Sequence, residues 1–149
     1  MFSRALLATL GVLAVTACSD STGPSSEISL ARLAGTWDLS RLEMVLVSDT
    51  SISQDVRGTF GLSATLTIQR TGHAVLVARA QGQPDLTVNV TISLHGDTLV
   101  YEVEGSRYIA VVQMSGRTMS WRALASTYWD MNGDGSADEV FERDVWQRR

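Results

Sequence analysis

An all-β fold, an eight-stranded antiparallel up-and-down meander barrel, is what this sequence predicts, and three observations predict it. First, apolar and polar residues alternate strictly in two stretches, with Leu62, Ala64, Leu66 and Ile68 on one face of the first and Leu86, Val88, Val90, Ile92 and Leu94 on one face of the second. The opposite faces carry Ser, Thr, Asn or Gln, the pattern of strands buried on one side only. Second, turns bearing Gly72, Gly82, Gly96, Gly105 and Gly116 separate these stretches from further strand-like runs at 74–80, 98–104, 107–114, 118–128 and 139–147. Connections this short make sequential neighbours pair antiparallel. Third, only one long connection is visible early in the chain, Asp49–Gly58. A β-sandwich is the alternative, but it needs longer crossovers between its sheets, whereas eight sequentially paired strands close into a barrel.

With 149 residues, 44% of them hydrophobic, the chain holds one domain and a processed leader. Its basic residues are all Arg, and the net charge of −4 becomes −5 when Arg4 leaves with the leader, which argues against a nucleic-acid partner. Residues 1–17 read as a signal peptide: Arg4 supplies the positive n-region, and the apolar run Ala5–Val15 is too short to span a bilayer. The leader ends Val15-Thr16-Ala17-Cys18 and contains the one cysteine of the chain. This resembles the lipobox of bacterial lipoproteins, which implies diacylglyceryl transfer to Cys18 and a lipid anchor in the cell envelope. Ser19 after the cysteine is similar to the outer-membrane sorting pattern, facing the periplasm or the surface. The alternative is an ordinary signal cut after Ala17 that leaves a free thiol. Residues 18–33 then form the lipidated cysteine and a flexible tether, rich in Ser with Gly23 and Pro24. At its end Ser29 can cap a short helical turn with Leu30 and Leu33 on one face.

The barrel domain is placed at 34–149 and opens with Gly35-Thr36-Trp37. Gly35 permits a bend that a Cβ would obstruct, and Trp37 offers a large apolar plate with one N–H donor. Leu39 and then Leu42 change phase along this strand, which predicts a bulge near Ser40 and Arg41. A Gly-x-Trp at a bent first strand resembles the opening motif of the lipocalin superfamily. The resemblance implies a barrel around a small apolar or amphipathic ligand, and a late-strand Arg laid over the Trp ring. Taking Glu142 and Asp144 as water-facing puts Phe141, Arg143 and Val145 inward, so Gly35, Trp37 and Arg143 are the expected closure set. An ordinary surface Arg143 is the other reading.

Strand parity places 49–58, 81–85, 105–106 and 129–138 at one end, the mouth, and the turns with His73, His95 and Gly116 at the other. Inward residues of the upper barrel, Tyr101, Tyr108 and Trp121, are the candidate ligand-binding set. They could equally fill a solid barrel, and then the protein is a structural or interaction module presenting its loops to an envelope partner. No nucleophile motif is present and neither His has a partner at a recognisable spacing, so an enzyme is not expected. One motif remains: Asp130, Asn132, Asp134, Ser136 and Asp138, with Gly135 at the sixth position, resemble the calcium loop of EF-hands. Phe141 stands where that loop has its bidentate Glu. The same residue types also make an acidic hairpin loop without an ion.

Overall fold

The computed structural model describes residues 28–124 and 130–149. Met1–Ala17, Cys18 and most of the tether therefore lie outside the described residues, as do 125–129. Nine strands and two short helices follow in order: α1 (Leu30–Leu33), β1 (Gly35–Leu46), β2 (Ser53–Asp55), α2 (Val56–Thr59), β3 (Ser63–Ile68), β4 (His73–Arg79), β5 (Leu86–His95), β6 (Thr98–Val103), β7 (Ser106–Ser115), β8 (Thr118–Leu124) and β9 (Val140–Arg148). From β3 to β9 each strand pairs with the next, and β1 pairs with both β3 and β9, so eight antiparallel strands close on themselves. The ninth, β2, lies inside the long loop after β1 and adds to the upper half of that strand.

How one strand serves two neighbours is explained by the bulge. Below it, Gly35–Asp38 pair with Ile68–Thr65 of β3, while the β1–β9 register slips between Leu39 and Arg41. The extra residue turns β1 away from β3 above that point. The edge so released is taken by β2, through Glu43↔Asp55 and Val45↔Ser53.

The base is shut by α1. Ser29 caps it, its Oγ accepting from the Arg32 N–H at 3.4 Å, and the turn drives Leu33 and Trp37 to zero exposure. The Trp37 indole donates to the Leu33 carbonyl at 2.8 Å. Ile28, Leu30 and Leu33 pack on the barrel core. A second lock lies at Gly72, whose carbonyl accepts from the Ile92 N–H at 2.7 Å. A Cβ on Gly72 would stand 2.2 Å from the Ile92 carbonyl oxygen, at a φ of +88°, so only glycine fits this turn.

The closure itself corrects the expectation for Arg143. Antiparallel partners share a face, and β9 pairs Trp146 with Leu39 and Met119, and Asp144 with Leu42 and Trp121. Its inward residues are therefore Glu142, Asp144, Trp146 and Arg148, and Arg143 points outward to an ion pair with Glu43. The cation over Trp37 is Arg148, its guanidinium 4.4 Å from the ring centroid. Arg148 also donates to the Arg32 carbonyl and lies against Gly35, where a Cβ would come 3.8 Å from the guanidinium carbon. The cation–π closure exists, made by the Arg further along β9 on the opposite face from Arg143.

Candidate functional site

The barrel interior divides by height. In the lower half Trp37, Leu66, Leu99, Val112 and Met119 are 0–2% exposed. Above them the inward positions Leu42, Met44, Ala64, Leu76, Tyr101, Val103 and Ala123 are only partly buried, and Tyr108 is 42% exposed. The interior is thus fully packed at its base and less deeply buried above, where these residues line the mouth-side end, the cup of the barrel.

One wall of the cup is aromatic. Tyr101 and Tyr108 are directly opposed across β6 and β7, and their rings stack with centroids 5.2 Å apart. Tyr101 lies 5.6 Å from Trp121 on β8, and Trp121 lies 5.8 Å from Trp146 on β9. The three residues expected to bind a ligand are therefore neighbours on three successive strands, and Trp146 on β9 extends the row by a fourth ring. These offset and tilted contacts hold the wall rigid.

Into this wall β9 places two carboxyls. Asp144, 9% exposed, pairs with Trp121 across the ladder, and Glu142 pairs with Ala123 one step nearer the mouth. Burial, followed by the adjacent Glu142 carboxyl, pushes the Asp144 carboxyl well above the usual carboxylate range. Burial likewise raises the Tyr101 phenol, and Glu142, Asp144 and Tyr108 add to the effect. Among the described residues, Asp144 Oδ1, Trp121 Nε1 and Trp146 Nε1 are buried without a hydrogen-bond partner. One such atom is a cost of about 1–3 kcal/mol, and three in one region is unusual for packing alone.

The acidic loop holds itself together. Asp130 accepts from the N–H groups of Gly133 and Gly135, at 2.7 and 3.0 Å. Asp134 accepts from the Ser136 N–H at 2.8 Å. Asp138 takes the Met131 N–H at 2.8 Å and the Asn132 amide at 3.1 Å. Among the described residues no three His, Cys, Asp or Glu side chains converge as a metal site. The donors suit calcium in kind, all hard oxygens, but Asn132 and Asp138 would have to release one another to ligate together.

No family model matches the chain, and no curated protein or solved structure matches it either. Fold alone defines its class: a closed eight-stranded antiparallel up-and-down barrel, with four aromatic rings and two carboxyls on one wall of its upper interior. On the outside, Arg122 lies over Phe141 at 4.3 Å, beside the exposed Ile109 and Val111.

Proposed function

We propose that this is a lipid-anchored protein of the bacterial cell envelope whose barrel binds a small apolar or amphipathic ligand in the cup. The observation that carries this reading is the aromatic wall of Tyr101, Tyr108 and Trp121, assembled from three strands at the half-exposed end of the interior. Rings held rigid next to solvent lose little conformational freedom when they take up an apolar guest. Native mass spectrometry of the protein extracted from its own membrane, together with fluorescence titration by the neutral dye N-phenyl-1-naphthylamine, tests it. A retained small molecule or saturable dye binding, lost in Tyr101→Ala, is the expected result; a bare mass with no dye binding overturns it. The second reading, an interaction module without ligand, is favoured by one observation, the exposed pair Ile109 and Val111 beside Arg122 on the outer wall.

The anchor rests on the lipobox at Cys18, with the acyl chains supplying membrane affinity through their buried methylenes. Cys18→Ala is expected to leave the protein uncleaved or soluble. If that variant still fractionates with membranes and still incorporates labelled fatty acid, the anchor assignment is wrong.

The Asp130–Asp138 loop is proposed to take calcium weakly, through Asp130, Asn132, Asp134, Asp138 and the Ser136 carbonyl. Self-bonding of the loop and the lack of a twelfth-position Glu put the expected Kd at about 10⁻⁴ to 10⁻³ M. At ten times Kd, linkage adds about 1.4 kcal/mol, or roughly 5 °C for a domain of this size. Thermal melts with calcium and with chelator measure it, and an equal shift in Asp134→Ala leaves the loop as an acidic turn only.

A further inference from the structure

We infer that the ligand of the cup is a protonated amine with an apolar or aromatic body, its ammonium held by Asp144 and Glu142 and its body laid against Trp121 and Tyr101. This rests on the proposed ligand-binding reading and adds the chemical class of the ligand.

The argument starts from what each part of the wall lacks. Asp144 is buried in the core wall, yet one of its carboxyl oxygens has no partner. Leu42 and Trp121 flank it across the ladder, and neither can neutralise it. A carboxyl in such a place is tolerated empty only in its protonated form, or ionised when a cation stands beside it. Among the described residues no cation stands beside it. Arg148 is at the base over Trp37, Arg143 is outside on Glu43, and Arg122 is outside on Phe141. The other titratable groups of the cup are Glu142, Tyr101 and Tyr108, all acids, so every titratable group facing Asp144 favours an incoming positive charge.

Aromatic faces add a second attraction. Ring faces are electronegative and draw ammonium groups within about 6 Å of their centroids, by about 0.5–2 kcal/mol. Trp121 and Tyr101 present such faces within one ring contact of each other, 5.6 Å between centroids, beside the carboxyl pair. An anionic amphiphile such as a fatty acid meets two carboxyls and is rejected. A neutral one gains the wall but leaves the carboxyl oxygen unpaired.

Proton balance follows. Asp144 carries its proton in the empty cup, and an arriving ammonium exchanges for it: the O–H bond breaks, the carboxylate pairs with the ammonium, and one proton goes to solvent. Binding of the amine should therefore strengthen about tenfold per pH unit until Asp144 ionises without help.

The test uses the full mature protein in detergent, with the bound dye as reporter and three probes of equal size, 2-phenylethylamine, 2-phenylethanol and phenylacetate, as competitors. The expected order is amine, alcohol, acid, with the amine about tenfold or more ahead of the alcohol at neutral pH and further ahead as pH rises. Asp144→Asn and Glu142→Gln, whose folding is checked by cooperative urea unfolding, should each reduce the amine-to-alcohol affinity ratio about tenfold. Dye displacement by amine and alcohol at equal concentrations, or a lead that survives both substitutions, overturns the amine assignment and leaves the cup as an apolar site. Failure of the dye itself to bind removes the cup reading and the amine with it.

Discussion

Replacing Trp37 by alanine is expected to lower the unfolding free energy by about 3–5 kcal/mol, the usual cost of emptying a fully buried aromatic site. The indole is at zero exposure, and three separate things converge on it. Its N–H satisfies the Leu33 carbonyl at the end of α1, its face carries the Arg148 guanidinium at 4.4 Å, and its backbone pairs with both Leu66 and Arg148. Truncation would leave a cavity under the helix and a half-buried cation deprived of its ring. Trp37→Phe separates these contributions, since it retains the plate and the cation–π contact but orphans the Leu33 carbonyl. It should cost about 1–2 kcal/mol. Urea unfolding of both variants measures this, and a Trp37→Ala loss below about 1 kcal/mol would show that α1 and Arg148 close the base without the indole.

The same residues show how far the sequence could be read. The eight strands of the barrel, their turns and the bulge after Leu39 were legible, because period-two alternation and glycine punctuation report local geometry directly, whereas β2 and α2 inside the long loop carry no such alternation. Tyr101, Tyr108 and Trp121 could be assigned to one wall for the same reason: each sits in phase with an aliphatic neighbour, Val103, Ala110 or Met119. The last strand misled. Its charged residues Glu142 and Asp144 were taken as the water face, since acids seldom point into a core, and the inference carried Arg143 inward with Phe141 and Val145. Signals for the opposite phase were present in Trp146, too large an apolar surface for a solvent face, and in the partner strand β1, where Leu42 and Met44 pair with Asp144 and Glu142. Phase was lost where two inward acids interrupt the hydrophobic pattern of β9. The loop Asp130–Asp138 was legible as a motif but not as an arrangement, because Asx side chains that bond their own backbone and Asx side chains that ligate an ion use the same residues at the same spacing.

Asp144 should also give the protein an inverted pH dependence. Its carboxyl is raised in the folded state, first by burial and then by Glu142, so the folded protein holds a proton that the unfolded chain releases in the ordinary carboxylate range, about pH 4. Between that pH and the folded value the native state binds more protons than the unfolded state. Stability contributed by this group is therefore fully present in acid and is lost as pH rises through the folded value, at a limiting rate of about 1.4 kcal/mol per pH unit. The other shifted carboxyls do not mask it. Asp38, lowered chiefly by its bond to Arg149, and Asp49, lowered by Ser51, stabilise above the ordinary carboxylate range and lose that contribution only as pH falls below it. Tyr101, raised by burial, acts only above the ordinary phenol range near pH 10. Asp144→Asn keeps the shape and an N–H donor toward Glu142 but cannot ionise, so it should be more stable than the wild type at neutral pH and free of the decline. Urea unfolding of both proteins at intervals between about pH 4.5 and pH 8.5 shows the difference as two curves that diverge upward in pH. Parallel curves would mean that Asp144 is ionised in the folded protein at no cost, with solvent or Glu142 meeting its free oxygen. A carboxyl that destabilises the empty fold as it ionises, and that a bound cation would relieve, is a group whose cost is offset only when the cup is filled.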